Sequence, residues 1–249
     1  TANKSIFLFF DAFITKMNLD GTMAWSALLT GSGLTGAPSQ EYAYAVTTGL
    51  DGSVYVGGAT QSQALDGQVN NGVGEYDAFL VKYNSDGTKA WTKLLGTPAQ
   101  DIGMALTTGL DGSIYFAGPT GGNLEGNGGG TFLAKYSPDG TKVWTKVLSE
   151  GAMYGSQFYE FPQFANSLTT GLDGSIYVSG YTSGQPNGQI NNGSNDAFLA
   201  KYNSDGSREW VKLFGSSDSD LGMALTTGLD GAIYVGGITL GSLTGYNNN

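Results

Sequence analysis

The chain has 249 residues, 11 of them basic and 21 acidic for a net charge of −10, with 13% charged and 40% hydrophobic side chains and 41 glycines. That is enough apolar material for a core and too little charge for a disordered polyelectrolyte. Cysteine and histidine are absent, which excludes disulfides, thiolate chemistry, Cys/His zinc sites and imidazole bases. Nucleic acid is not an expected partner, because the few lysines are scattered through an acidic chain and cannot supply the counterion release that drives such binding. The longest strongly apolar run, Ile6 to Phe10, is far short of the roughly 20 residues of a membrane-spanning helix.

Taken in chain order, two kinds of segment alternate. DAFITKMNLDGTMAW (11–25) is followed by TTGLDGSVY (47–55), DAFLVKYNSDGTKAW (77–91), TTGLDGSIY (107–115), TFLAKYSPDGTKVW (131–144), TTGLDGSIY (169–177), DAFLAKYNSDGSREW (196–210) and TTGLDGAIY (226–234). Each places runs of Val, Ile, Phe, Tyr and Thr on either side of an Asp-Gly pair, the pattern of a β-hairpin. The turns at Asp20, Asp51, Asp86, Asp111, Asp139, Asp173, Asp205 and Asp230 imply sixteen strands, and nothing reads as a helix. From Asp77, Phe79, Val81 and Tyr83 face one way and Ala78 and Leu80 the other. Sheets apolar on both faces must be covered on both. Small antiparallel sheets stacked around an axis satisfy that requirement, so the expected fold is an all-β propeller.

The pattern DAFLxKYNSDGTxxW followed by TTGLDGSIYVGGxT resembles the bacterial SBBP-type β-propeller repeat over nearly the whole chain beyond residue 10. The departures are Thr131, where the Asp of DAF is absent, and the stretch 149–164. The resemblance implies that the TTGLDG hairpins supply the two inner strands of each blade and the DAF hairpins the two outer ones. It also implies a secreted or surface-displayed bacterial protein, extracellular or periplasmic, of no fixed role. A single domain of four blades follows: 42–95, 102–148, 164–214, and a fourth joining 221–237 to 11–29, so that the terminal hairpins pair and close the ring. Closure would cover the two faces that an open array leaves wet. A segment of a larger ring is the rival arrangement.

With every Asp-Gly turn on one face of the disc, the long connections (59–76, 119–130, 149–163, 181–195 and 238–249) gather on the other, which is the expected ligand face. Glu41, Asp101, Gln163 and Asp220 align at the start of each inner strand and would ring the channel mouth, where a hard cation such as calcium could sit among oxygen ligands. The alternative is that they cap backbone amides between blades. Capping is also the expected role of the turn aspartates and of Asp11, Asp77 and Asp196. Trp25, Trp91, Trp144 and Trp210 fall at one repeat position, which suits packing between blades.

The insertion 150–164 collects Tyr154, Phe158, Tyr159, Phe161 and Phe164 with Glu150 and Glu160. Of these, Tyr154, Phe158, Tyr159, Glu160 and Phe161 form the candidate ligand-binding loop, with Asn70, Asn71, Asn191 and Asn192 as further amides for sugar hydroxyls. The leading functional reading is a non-catalytic binding or scaffold propeller with a glycan or protein partner. A structural spacer in a larger surface protein comes second. A lyase or glycoside hydrolase using carboxylates, which would need two of them roughly 5 to 9.5 Å apart, comes last.

Overall fold

Every repeat motif folds as an antiparallel hairpin in the computed structural model, which describes residues 10–32, 40–72, 74–126, 128–148 and 163–243. The first DAF motif forms β1 (Ala12–Met17) and β2 (Met23–Leu29), a two-stranded sheet. The first blade is β3 (Glu41–Thr48), β4 (Val54–Thr60), β7 (Asp77–Tyr83) and β8 (Lys89–Leu95), hydrogen-bonded in that order. Between its two hairpins a small ribbon, β5 (Ala64–Leu65) and β6 (Gln68–Val69), turns through Asp66 and Gly67, both at positive φ. The second blade is β9 (Ala105–Thr108), β10 (Ile114–Thr120), β11 (Gly130–Tyr136) and β12 (Lys142–Val147). The third is β13 (Gln163–Thr170), β14 (Ile176–Thr182), β15 (Asp196–Tyr202) and β16 (Arg208–Phe214), and the last TTGLDG motif forms β17 (Asp220–Thr227) and β18 (Ile233–Thr239) alone. Short 3₁₀ turns at Leu124–Gly126 and Pro186–Gly188 are the helical elements among the described residues.

The repeated turns are longer than a two-residue Asp-Gly loop. In the first inner hairpin Gly52 N–H donates to the Gly49 carbonyl at 3.1 Å and Gly49 N–H to Ser53 O at 2.8 Å, with Gly52 at φ 76°. Asp51 therefore stands third in a four-residue turn, and its Oδ1 accepts from Ser53 N at 3.0 Å. The same bond to the amide two residues on recurs at Asp20, Asp86, Asp111, Asp139, Asp173, Asp205 and Asp230, as expected of an Asx turn.

The blades pack face to face, and each joint repeats the same contacts. The inner strands β3, β9, β13 and β17 lie side by side. They are linked by threonine hydroxyl pairs Thr47 with Thr108 (3.2 Å), Thr107 with Thr170 (3.0 Å) and Thr169 with Thr227 (3.1 Å). Farther out, Trp25, Trp91 and Trp144 donate Nε1–H to the turn carbonyls of Ser85, Pro138 and Ser204 in the next blade at 3.1, 3.2 and 3.3 Å. The turn glycines Gly87, Gly140 and Gly206 lie against those indoles, so closely that a Cβ would come within 2.7, 3.0 and 3.2 Å of ring atoms. Lys82, Lys135 and Lys201 each form an ion pair with the inner-turn aspartate of their own blade, Asp51, Asp111 and Asp173, at 2.9, 2.9 and 3.1 Å. Apolar clusters fill the joints: Val56, Phe79 and Val81 with Leu29; Leu106, Phe116 and Phe132 with Leu80; Leu168, Val178 and Phe198 with Leu133.

The expected pairing of the first and last hairpins is not present. The sheets run two, four, four, four and two strands, and β1 and β18 are not hydrogen-bonded to each other. The outward faces of the two half-blades are wet: Phe13 is 67% exposed and Met23 63% on one, Tyr234 57% and Ile238 53% on the other. The repeat identifies which half of a blade each hairpin supplies. Whether the ends meet depends on the angle between successive blades, which is set by the summed volumes of side chains at every joint rather than by any one motif.

Candidate functional site

On the face opposite the repeated turns, β3 begins with the sequence Glu41-Tyr42-Ala43-Tyr44. Its pairing with β4 slips between Ala43 and Ala45, so Tyr44 is bulged out of the ladder. Beside this bulge the rings of Tyr42 and Tyr44 stack at 6.0 Å with 16° between planes. Tyr76, at the end of the β6–β7 connection, meets Tyr42 at 6.0 Å, and Phe10 meets it at 5.8 Å. The hydroxyls of Tyr42 and Tyr76 donate to Gln40 Oε1 at 3.0 and 2.7 Å. A recess of about 340 Å³ opens between Tyr42, Tyr44, Ala59, Tyr76 and Ile102. Burial, followed by the neighbouring Tyr42, pushes the Tyr76 phenol up to about 12 and raises that of Tyr44. Both rings therefore stay neutral hydrogen-bonding groups at physiological pH.

This cluster was not among the expected site residues. The corresponding positions of the other inner strands are Ile102 and Met104, Phe164 and Asn166, and Leu221 and Met223, so a second tyrosine at the bulge was the available signal. The expected binding loop, Tyr154, Phe158, Tyr159, Glu160 and Phe161, together with Glu150, lies outside the described residues.

The acidic positions at the inner strands do not form one ring. Among the described residues no three acidic side chains converge as a metal centre. Gln163 lies in β13 opposite Thr182, and its side chain is outside the description. Glu41, 1% exposed, accepts from the hydroxyls of Thr60, at 2.9 Å, and Ser62. Asp101 Oδ2 accepts from Thr97 N (2.6 Å) and Thr97 Oγ1 (2.9 Å), and Asp220 Oδ2 from Ser216 N and Oγ at the same distances. Asp101 and Asp220 thus close the connecting loops between blades, because the amides buried there need acceptors, whereas Glu41 is held by hydroxyls of its own blade.

The side chains of Asn70, Asn71 and Asn191, three of the four asparagines expected to meet sugars, bond to backbone carbonyls. Asn70 Nδ2 donates to the Thr60 and Glu75 carbonyls and Asn191 Nδ2 to that of Thr182, while the amides of Asn71 and Asn192 donate to Asp77 Oδ2 (2.9 Å) and Asp196 Oδ2 (3.0 Å). Asp77 and Asp196 therefore cap backbone as expected, whereas Asp11 is exposed.

Residues 172–209, which span one inner turn and the following DAF hairpin, match the family model described as "Domain of unknown function (DUF5122) beta-propeller". The chain carries β-propeller repeats. It is 30% identical over 196 residues to the regulatory protein FlaEY of Caulobacter vibrioides, a match covering 70% of this chain and 20% of that protein. The chain therefore spans about a fifth of that relative's length. Among solved structures it is similar to a protein of unknown function from Dyadobacter fermentans, with a TM-score of 0.47 and 14% identity over 86% of this chain and 66% of that one. A xylan β-1,4-xylosidase from Bacillus halodurans gives a TM-score of 0.41 and 15% identity, over 95% of this chain and 48% of that one.

Proposed function

We propose that this propeller is a non-catalytic binding module of SBBP type, displayed or secreted by a bacterium, which takes a glycan in the Tyr42–Tyr44–Tyr76 recess. The observation that carries the reading is the recess itself: three tyrosine rings, two of them stacked, with Ala59 and Ile102 as apolar wall. Flat aromatic faces cover the C–H faces of a sugar ring, and the phenol hydroxyls offer directional bonds to its own hydroxyls. The recess opens on the face of long connections, where the repeat logic places ligands. Low charge and abundant Gly, Asn, Ser and Thr support the extracellular setting.

Calorimetry of the full chain against neutral oligosaccharides tests this. Tyr44→Ala and Tyr76→Ala should each weaken binding by roughly tenfold, the worth of one stacked ring, with the melting temperature little changed for the half-exposed Tyr44. Binding that ignores both substitutions, or a surface that takes only protein partners, overturns the glycan reading.

A further inference from the structure

The chain carries two half-blades, and each is the half that the other lacks. Hairpin β17–β18 stands in the place of an inner pair and β1–β2 in that of an outer pair, and no strand among the described residues pairs with the free edge of β18 or of β1. In the three complete blades the inner and outer pairs join in one register. Tyr55 lies opposite Lys82 and Gly58 opposite Phe79 in the first, Tyr115 opposite Lys135 and Gly118 opposite Phe132 in the second, Tyr177 opposite Lys201 and Gly180 opposite Phe198 in the third. The corresponding residues of the two free edges are Tyr234 with Lys16 and Gly237 with Phe13.

The side chains at these edges lack the partners that complete blades supply. Lys82 and Lys135 each combine the ion pair to their inner-turn aspartate with a bond to a turn carbonyl of the next blade, at 3.1 and 3.3 Å. Lys16 keeps the second contact, to the Ser85 carbonyl at 3.3 Å, but neither it nor Asp230 has an ion pair among the described residues. Trp91, Trp144 and Trp210 meet the inner tyrosine of their own blade at 5.7, 5.9 and 6.0 Å. The half-blades divide that pair, Trp25 lying in β2 and Tyr234 in β18. Phe79, Phe132 and Phe198 are at most 3% exposed, whereas Phe13 is largely in solvent. Beside β18 lies a cavity of about 120 Å³ lined by Ala197, Phe214, Gly236 and Gly237. Ala78 and Leu95, the counterparts of Ala197 and Phe214, share an apolar cluster with Phe132 of the next blade, so the cavity is the seat for the phenylalanine of a further outer pair.

We propose that a second copy of this chain supplies that pair: β1 of each copy joins β18 of the other antiparallel, and the two copies close one ring. Unpaired strand edges are ready templates for such addition. Three blades and two halves in each copy make eight blades, within the four to eight that propellers use, and three copies would exceed it. Lys16 of one copy then meets Asp230 of the other, Phe13 fills the cavity, Trp25 meets Tyr234, and the Asn18–Gly21 turn covers Trp210. Below its dissociation constant the chain is the open monomer, in which Trp210 lacks that cover.

Sedimentation velocity of the full chain from about 1 µM to about 1 mM should show one-chain and two-chain species and nothing larger. Phe13→Ser, at a residue exposed in the single copy, should weaken association roughly ten- to hundredfold per junction, the worth of one buried phenylalanine, and leave melting of the dilute chain unchanged. Lys16→Asp and Asp230→Lys should each weaken it at least roughly tenfold, and the two together should restore it. The natural chain has no cysteine, so Thr15→Cys with Val235→Cys, facing positions in the common register, reports which edges pair. Oxidation should give two-chain products on a denaturing gel. A single chain at every concentration overturns the proposal, as does a cross-link formed within one chain, association indifferent to Phe13 and to the charge exchange, or growth beyond two copies.

Discussion

Replacing Trp91 and Trp210 separately by phenylalanine isolates the energy of one blade joint. Within its own blade each indole has the same neighbour: Tyr55 beside Trp91 at 5.7 Å and 56°, Tyr177 beside Trp210 at 6.0 Å and 60°. Across the joint they differ. Trp91 donates to the Pro138 carbonyl at 3.2 Å and is covered by Gly140, whereas Trp210 has no such partner among the described residues. The turn that would serve Trp210 is Asn18–Gly21, where Leu19 is fully exposed and a Cβ on Gly21 would meet nothing within 4 Å. Pro138 O also accepts from Lys82 Nζ at 3.1 Å, so Trp91→Phe does not orphan it. The loss at Trp91 is then the net worth of a hydrogen bond, about 1 kcal/mol, plus about 1 kcal/mol for the apolar contact with the next turn. Trp210→Phe forfeits neither. Scanning calorimetry should place Trp91→Phe roughly 4 to 8 °C below Trp210→Phe. Equal losses would refute the open arrangement, since Trp210 would then be engaged by another blade.

Close backbone approach gives a second prediction. At Gly118 a Cβ would lie 1.8 Å from the Ile102 carbonyl oxygen, whereas at Gly236 the nearest atom, Ala224 Cβ, is 4.0 Å away. In urea denaturation Gly118→Ala should cost at least about 2 kcal/mol and Gly236→Ala less than about 0.5 kcal/mol. The pH profile gives a third. Burial, and for Asp101 also the neighbouring Asp77, pushes these two carboxyls up to about 6, above their unfolded value. The folded state therefore binds more protons between about pH 4 and 6, and in divalent-free buffer this pair's stabilisation, at most about 3 kcal/mol per group, is complete below pH 4 and lost as pH rises through 6. Hydrogen bonds from the following turn hold Asp20, Asp86 and Asp205 below the usual range, so their contribution runs the other way and is lost on acidification. Chemical denaturation across pH 3 to 8 should give a maximum near the low end of that range.

The hairpins and the face that collects the long connections were legible in the sequence, because each rests on local chemistry repeated several times, while the assignment to inner and outer halves followed from the resemblance to SBBP-type repeats. Asp51 and its seven counterparts announce a turn whichever blade they occupy. What escaped depends on how two elements meet. Tyr42 and Tyr44 occupy adjacent same-parity positions in a strand, and their rings stack near Tyr76 beside the bulge between Ala43 and Ala45, opposite Gly57 and Gly58. Asp66-Gly67, outside the repeat, is the one two-residue Asp-Gly hairpin in the described residues, and it carries an ion pair to Lys89 at 2.8 Å.

The junction carboxylates show the same limit in its most informative form. Asp101 and Asp220 were aligned with Glu41 and Gln163 by their place in the repeat, and alignment alone suggested a ring around the axis. The partner that matters is the aspartate opening the preceding DAF strand, 24 residues upstream in both cases, and strand order rather than similarity sets that pairing. Read across joints, the substitutions become coherent: Gly130 and Gln163 remove both acids from one joint, while Asp77 with Asp101 and Asp196 with Asp220 retain both in the others. The DAF aspartate and the inner-strand acid cap different amides, Asn71 and Thr97 in one joint and Asn192 and Ser216 in the other, so each acid closes its own loop.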